Sequence, residues 1–167
     1  IHLVGIIRET REASFEAVHV RGTNLLLEKA REAGVQRFIH MSALGARPES
    51  DSRYYRTKWL AEEAVRKSGL DYTIFRPSVI FGQGDKFVNL LADLVRRMPI
   101  LPRFKRGRIQ PIWVEDVAAC FAKSLDEEKA KGRAIELGGA EAYSPDELID
   151  LLEESLDKHR LRVYIPP

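Results

Sequence analysis

The alternation of apolar and polar positions along the chain predicts strands and helices in turn. Residues 1–7 form an apolar run that is rich in isoleucine and too short for a helix, so we expect a buried strand there. Apolar residues recur at helical spacing over 15–33, and Gly34 follows as the glycine that commonly ends a helix. The segment 37–41 predicts the next strand, and residues 53–67 predict an amphipathic helix.

The second half of the chain continues the same alternation. The pattern predicts strands at 73–75, 134–137 and 163–165, and helices at 87–97 and 115–125. Ser144, Pro145 and Glu147 have the spacing of a capping box with proline in the first turn, so a last helix begins there. We expect the apolar side chains of the three long helices to face a core: Val18, Leu25, Leu26 and Ala30; Trp59, Leu60, Ala64 and Val65; Leu90, Leu91, Leu94 and Val95.

This order of elements predicts an α/β fold. Strands with buried-type sequences that are separated by single helices form a parallel sheet covered on both faces. Right-handed crossovers then make the sheet doubly wound, and ligands bind at the carboxyl ends of its strands. The residues to consider first are therefore those that follow the predicted strands: Gly5, Ser42, Pro77 and Ser78.

The composition limits the classes of protein to consider. The chain has 167 residues, of which 44% are hydrophobic and 31% charged, which is typical of one soluble globular domain. The net charge of +2 gives no general attraction to nucleic acid or to an anionic membrane. The single cysteine excludes an internal disulfide and favours a reducing compartment, so we expect a cytoplasmic protein. No apolar run predicts a transmembrane segment, and the scattered histidines predict no metal site.

Three residues near the predicted strand ends could together carry acid–base chemistry. Ser42 follows the second predicted strand, and Tyr54 and Lys58 lie four residues apart on the next helix, so these two side chains share a face. An ammonium beside a phenol favours the phenolate and lowers its pKa from about 10, which would make the tyrosine an effective proton-transfer group. Tyr55 is three residues from Lys58 and could occupy the same face instead.

These residues belong to a longer set of segments that resembles a known family. Ser42 on a strand, Tyr54 to Lys58 on a helix and RPSVIFG at 76–82 on a strand occur in the order found in the extended and atypical short-chain dehydrogenase/reductase superfamily. Further matching segments extend the resemblance over nearly the whole chain: Gly22-Thr23, PIWVEDVA and SPDELIDLL. FIHMSALGA, RPSVIFGQGDKFVN and QPIWVEDVA are similar to the branch that contains the NAD(P)H-binding accessory subunit of respiratory complex I.

The resemblance implies a cofactor, NAD or NADP, and a role for each site residue. It implies that Tyr54 is the general acid/base, that Lys58 lowers the tyrosine pKa and binds the nicotinamide ribose, and that Ser42 orients the substrate. It further implies cofactor binding by Gly5, which has no Cβ to obstruct the dinucleotide, and by the segment along the nicotinamide: Pro77, Ser78, Val79 and Ile80. The implied function is an NAD(P)-dependent oxidoreductase or epimerase acting on a small carbonyl or alcohol substrate.

Parts of the family pattern are absent from the chain. The glycine-rich turn that holds the pyrophosphate does not follow the first predicted strand, and the nearest match, Gly82-Gln83-Gly84, has Phe87 where a third glycine belongs. We therefore expect a Rossmann-like half-domain without its first strands at 1–82, and a smaller α/β substrate-side portion at 83–167. We also expect this chain alone to bind dinucleotide weakly or not at all. Val79 replaces an asparagine of sugar-nucleotide epimerases, which argues against a nucleotide-sugar substrate.

Two functions from different classes remain open. One is the Ser-Tyr-Lys enzyme described above, and the other is a non-catalytic NAD(P)H-binding structural or assembly protein related to the complex I subunit. The second function fits association with a respiratory complex at the membrane periphery, while an unpaired strand edge would equally suit a homodimer. The basic residues Arg103, Lys105, Arg106 and Arg108 suit either a solvated loop or the binding of a phosphate or an anionic lipid headgroup.

Overall fold

The computed structural model describes residues 1–103 and 107–163, which contain five α-helices and seven β-strands. A π-helical turn, Glu16–Arg21, leads into the first helix, and a 3-10 turn, Glu128–Ala130, precedes the sixth strand. The elements in chain order are α1 Gly22–Glu32, β1 Arg37–Met41, α2 Arg53–Arg66, β2 Asp71–Pro77, β3 Ile80–Phe81, α3 Val88–Arg97, β4 Ile100–Pro102, β5 Ile112–Trp113, α4 Val114–Lys123, β6 Arg133–Leu137, α5 Pro145–Ser155 and β7 Leu161–Val163. Within the described segments, no helix has both the length and the apolar character needed to cross a bilayer.

The chain divides into two compact units. The first contains residues 1–77 and 117–137, and the second contains 78–116 and 138–167. Residues 117–137 belong to the first unit because β6 adds to its sheet, with Phe75 of β2 opposite Ile135. The division into domains after residue 82 that the sequence suggested stays a prediction.

The first unit is built on a parallel sheet with the strand order β1-β2-β6. On one face of the sheet, α1 and α2 bury a cluster consisting of Leu27, Ala30, Phe38, Val65 and Ile74. On the other face, Phe121 of α4 packs on Phe75, with ring centroids 4.6 Å apart. A parallel sheet with helices on both faces confirms the predicted α/β fold.

The second unit is a small α/β assembly with two parallel strand pairs, β3-β5 and β4-β7. Val95, Leu101 and Ile149 form its buried cluster. The predicted capping box is confirmed, because the Ser144 hydroxyl accepts from the Glu147 amide and the Glu147 carboxylate accepts from the Ser144 amide. Lys105 and Arg106 of the basic run, and residues 164 and 165 of the last predicted strand, lie outside the described residues.

The expectation of a buried strand at residues 1–7 was wrong. Only His2 pairs with the sheet, through a single parallel bridge to His40, and the apolar side chains around it are exposed. The backbone of Ile6 bonds to the side chain of His19 in place of a neighbouring strand, with N···Nε2 at 3.1 Å. The chain therefore leaves the sheet after His2, although its sequence is apolar and β-branched.

The predicted inward faces of the helices were also partly wrong. Leu25 and Leu26 are 58% and 39% exposed, while Thr23 and Leu27 are buried in their place. Leu60 of α2 and Leu90 of α3 are exposed as well. The inward faces of α1 and α2 mix apolar with polar residues, such as Thr23 of α1 and Lys58 and Glu62 of α2, so an assignment by apolar character alone selected some positions on the neighbouring face.

The capping box gives a direct test of the second unit. Replacing Ser144 by alanine removes the acceptor for the Glu147 amide, so we expect Ser144→Ala to lower the free energy of unfolding by about 1 kcal/mol. The measurement is the denaturation midpoint in urea. Ser155→Ala, at the exposed end of the same helix, serves as the control and should leave the midpoint nearly unchanged. Equal losses in both variants would contradict a specific role for the cap.

Candidate functional site

One row of side chains on α2 organises the candidate site. Tyr54, Lys58 and Glu62 are spaced four residues apart, so they lie along one side of the helix. The helix follows a loop in which Gly45 has a φ of 95°, a conformation that favours glycine. The ring of Tyr55 packs against this glycine, and a Cβ there would lie 3.4 Å from the ring. Lys58 and Glu62 of this row are buried inside the first unit, while Tyr55 packs on the loop.

Lys58 is buried, with 5% of its surface exposed, at the carboxyl end of β1. Its Nζ donates to the carbonyl oxygen of Met41 at 3.0 Å. Gly5 lies directly beside it, because a Cβ added to this glycine would stand 3.0 Å from Nζ. Burial lowers the pKa of Lys58 to about 8, and the nearby Glu62 carboxylate acts in the opposite direction. The structure thus brings together Gly5 and Lys58, while the cofactor-binding roles expected for them stay predictions.

Tyr54 is half-buried at the start of the same row. Its ring makes edge-to-face contacts with Phe15 and His19, with centroids 5.6 and 5.5 Å apart. Burial raises the pKa of Tyr54, and Tyr55 adds to the effect. The expected lowering of this pKa by Lys58 is therefore wrong for the arrangement seen in the structure. Within residues 1–103 and 107–163, no hydrogen bond engages the Tyr54 hydroxyl, so its proton is available to an incoming acceptor.

Ser42 lies at the end of β1, where the sequence placed it, but its hydroxyl is already engaged. It is buried and donates to Oε1 of Glu62 at 2.5 Å. The Ser42 hydrogen is thus given to a carboxylate of the protein and not to a substrate. The predicted role of Ser42 in orienting a substrate stays a prediction.

Glu62 is the residue that the sequence analysis missed. Its side chain is fully buried and accepts two hydrogen bonds from Arg76, at 2.9 and 2.7 Å, and one from Arg66 at 2.7 Å. Burial acts to raise the pKa of Glu62, but the hydrogen bonds from Arg76, Ser42 and Arg66 outweigh it and lower the pKa. Its spacing of four residues from Lys58 indicated that the two side chains share a helix face. Nothing in the sequence indicates that Glu62 forms an ion pair with Arg76.

His19 links the first residues of the chain to α2. It is buried in the π-helical turn, and its Nδ1 lies 2.9 Å from Oγ1 of Thr57. Its Nε2 lies 3.1 Å from the Ile6 amide and 3.0 Å from the Ile6 carbonyl oxygen. Burial and, as the next largest cause, the Lys58 ammonium together lower the pKa of His19 to about 4. A neutral ring is satisfied in either tautomer, because Thr57 can donate or accept.

His40, near the end of β1, is a second buried histidine and contacts His2. Its Nδ1 lies 3.0 Å from Nδ1 of His2. The pKa of His2 is lowered to about 4, mainly by burial and next by the charge of Lys58. The sequence predicted a satisfied core histidine at position 40. The residue is buried, but Nε2 has no hydrogen-bond partner among the described residues, so that prediction is only half correct.

The segment predicted to lie along the nicotinamide begins at the end of β2. Pro77 is buried, and its carbonyl oxygen accepts from the Leu44 amide at 2.9 Å. The rest of the segment belongs to the second unit, where the Val79 carbonyl accepts from Ile112. The cofactor contacts proposed for Pro77, Ser78, Val79 and Ile80 stay predictions.

The donors around Gly5 fit the ribose of a nicotinamide dinucleotide. An ammonium has three hydrogens, and Lys58 gives one to Met41 among the described residues, so two remain for ribose hydroxyls. Tyr54 adds a free hydroxyl, and Gly5 leaves the space beside Nζ without a side chain. These residues would hold the nicotinamide end of the cofactor, which supplies hydride chemistry. The expectation that this chain alone binds dinucleotide weakly stays a prediction.

Comparison with known families shows which family the chain belongs to. Residues 8–128 match a family described as NAD(P)H-binding. The chain belongs to this NAD(P)H-binding family. Membership confirms NAD or NADP as the cofactor class and supports the predicted short-chain dehydrogenase resemblance.

Curated relatives of this NAD(P)H-binding chain include a complex I subunit and a reductase. It is 35% identical over 170 residues to the mitochondrial NADH dehydrogenase [ubiquinone] 1 alpha subcomplex subunit 9 of Arabidopsis thaliana, with 99% of the chain and 42% of that protein covered. It is 39% identical over 120 residues to ceramide reductase of Caulobacter vibrioides, with 71% of the chain and 38% of that protein covered. The chain thus spans less than half the length of these relatives.

Solved structures show the same fold at low sequence identity. The UDP-glucuronic acid 4-epimerase of Bacillus cereus, in complex with UDP-glucuronic acid and NAD, superposes with a TM-score of 0.80 at 20% identity, covering 99% of this chain and 61% of that one. MoeE5 in complex with UDP-glucose and NAD gives a TM-score of 0.83 at 19% identity, covering 98% and 64%. The NAD(P)H-binding chain therefore has the Rossmann-like fold of the epimerases.

The buried carboxylate provides the first test of this site. Glu62→Gln removes the charge that three donor groups surround, so we expect it to lower the free energy of unfolding by on the order of 3 kcal/mol. Glu63→Gln is the matched control, because that carboxylate forms only partly exposed ion pairs with Arg66 and Lys67 and should cost about 0–1 kcal/mol. Urea denaturation measures both, and equal losses would rule out Glu62 as a special structural charge.

The buried imidazole of His19 should make stability depend on pH. In the unfolded chain histidine titrates near pH 6.5, but in the fold the pKa of His19 is about 4, so the unfolded chain takes up the proton first as pH falls. This contribution to stability is fully present above about pH 6.5 and is lost as pH falls toward 4. We expect the fall in Tm between these pH values to be smaller in His19→Gln.

Thermal melts followed by circular dichroism at stepped pH measure this difference. His159→Gln is the control, because His159 is exposed and this change should leave the pH dependence of Tm as it is in the parent protein. A pH dependence in His19→Gln that matches the parent would show that His19 does not titrate differently on folding.

Proposed function

We propose that the protein containing this chain is an NAD(P)H-dependent carbonyl reductase that uses Tyr54 and Lys58. The observation that supports this most directly is the placement of the Tyr54 hydroxyl and the Lys58 ammonium on one helix row, with Nζ beside Gly5. Both groups have hydrogens that no described residue accepts. Bound NAD(P)H supplies the hydride.

The protonation of Tyr54 favours the reductive direction. The phenol keeps its proton at neutral pH, because its ordinary pKa is about 10 and burial raises it. A carbonyl oxygen that gains electron density during reduction needs a proton, and Tyr54 Oη holds one. Lys58, in the same row and with a pKa of about 8, carries positive charge and would bind ribose hydroxyls through its two remaining hydrogens.

The substrate class is proposed from two features. Val79, an apolar residue, stands where a nucleotide-sugar enzyme of this fold would have asparagine, so a nucleotide sugar is disfavoured. The relative named ceramide reductase is 39% identical over 120 residues, which supports a lipid-like carbonyl compound. Ser42 would accept a hydrogen bond from a substrate hydroxyl or amide rather than donate one to the carbonyl oxygen, since its hydrogen is donated to Glu62.

A second candidate function is a protein that holds NAD(P)H without turning it over. The engaged hydroxyl of Ser42 favours it, because a Ser-Tyr-Lys enzyme needs that hydroxyl to orient the substrate. The relative from Arabidopsis thaliana named as a complex I subunit is 35% identical over 99% of the chain, which supports the same alternative, including association with a respiratory complex at the membrane periphery. A homodimer stays a prediction under either function.

The decisive variant is Tyr54→Phe in the complete protein. We expect turnover of a long-chain aliphatic ketone probe to fall by about 100-fold or more, because the proton donor is lost. NADPH affinity, measured by fluorescence titration, should change little, since Lys58 remains.

Tyr55→Phe is the matched control and should keep its turnover, because the Tyr55 ring packs on Gly45. Turnover that survives in Tyr54→Phe would remove Tyr54 from the mechanism. Bound NADPH that the parent protein never oxidises with the probe, or with simpler ketones, would favour the holding function.

A further inference from the structure

The second unit has an apolar sheet face that its own core does not use. The paired strands β4 and β7 place Ile100 opposite Leu161 and Pro102 opposite Val163. Ile100, Leu161 and Val163 are 45%, 65% and 43% exposed, and Met98, just before β4, is 40% exposed. The intervening Leu101 is 2% exposed, so the strands alternate between a buried side and this outward side. We call Met98, Ile100, Leu161 and Val163 the outer sheet face.

The charged residues of the segments that carry the outer sheet face are all basic. Residues 96–103 and 158–163 contain no aspartate or glutamate. Arg97, Arg103 and Lys158 are exposed in these segments, and no ion pair joins them to a described residue. The inward Arg162 differs, because it bonds to Asp150 and Glu153 and belongs to the packing of the unit. The outer sheet face is therefore flanked along the chain by three exposed cations that form no ion pair within residues 1–103 and 107–163. We call these three residues its basic border.

We infer that the outer sheet face and its basic border dock on an anionic lipid bilayer. Exposed aliphatic side chains enter the headgroup region, and surrounding arginine and lysine residues bind negatively charged headgroups. Arg103, which belongs to this border, is the first residue of the basic run whose sequence suits either a solvated loop or the binding of a phosphate or an anionic headgroup. The inference concerns the second unit alone and does not depend on the proposed reductase activity.

Charge separates this occupant from a second copy of the chain. A symmetric dimer would bring the same surface of two molecules together. Here that would bring both copies of Arg97, Arg103 and Lys158 into one interface, and neither segment offers a carboxylate to compensate. A negatively charged membrane surface supplies both the apolar region and the opposite charge.

Vesicle co-sedimentation of the complete protein tests the inference. We expect binding to phosphatidylcholine vesicles that contain about 30% phosphatidylglycerol, little binding to pure phosphatidylcholine, and loss of binding between about 0.05 M and about 0.5 M NaCl. Arg97→Glu with Arg103→Glu should weaken binding roughly 30-fold or more, since each cation near an anionic surface contributes about a factor of five. Leu161→Asn should weaken it by about tenfold.

Matched control variants lie in the first unit. Lys123→Glu with Arg133→Glu reverses two exposed charges there, and Leu125→Asn removes a leucine that is 49% exposed. Both should bind vesicles like the parent protein. Equal binding to neutral and anionic vesicles, absence of binding, or equal effects of the control and test variants would each overturn the inference. So would a dimer, seen by sedimentation equilibrium, that Leu161→Asn dissociates.

Discussion

The buried carboxylate of Glu62 is the constraint on which the site depends. It lies inside the first unit and joins three elements, because it accepts from Ser42 after β1, from Arg76 on β2 and from Arg66 on its own helix. A buried charge with all its oxygens engaged tolerates little movement, since leaving any donor or acceptor unpaired is costly. Glu62 therefore fixes the rotation of α2, and with it the direction in which Tyr54 and Lys58 point.

The histidines around Lys58 are part of the same electrostatic arrangement. His2, His19 and His40 all have lowered pKa values, with burial as the largest cause and Lys58 as the next. Neutral imidazoles can supply hydrogen-bonding nitrogens close to an ammonium without adding charge. The ammonium can therefore be kept in a buried place beside Gly5, with Glu62 as its nearest opposing charge.

The sequence predicted the fold class and most helices and strands because these depend on local signals. The strand Arg37–Met41, the glycine at 34 and the capping box at Ser144 follow from side-chain periodicity and backbone preferences, and the structure has them. The short strands β3, β4 and β5 were not predicted, since two or three residues show too little periodicity to be recognised. The strand at 1–7 failed for a different reason, because a strand needs a partner and Ile6 bonds to His19 instead.

For the site, sequence spacing placed Tyr54 and Lys58 on one face but did not determine their protonation. Spacing of four residues is a local property of a helix, whereas a pKa depends on burial and on groups that are distant in sequence. Glu62 and Arg76 are 14 residues apart and meet only through the packing of α2 on β2. The same dependence explains why Ser42, correctly placed at a strand end, has its hydroxyl directed to a protein carboxylate.

Burial moves the two members of the Tyr54–Lys58 pair in opposite directions, since it disfavours phenolate and ammonium alike. A tyrosine that acts as a base must first lose its proton, which this environment opposes. A tyrosine that acts as an acid begins with its proton in place, and a substrate oxygen that becomes negative during hydride addition draws it off. Burial thus keeps the acid form of Tyr54 in place, although it also makes the phenol a weaker acid, and the proposed carbonyl reduction begins from this protonated form.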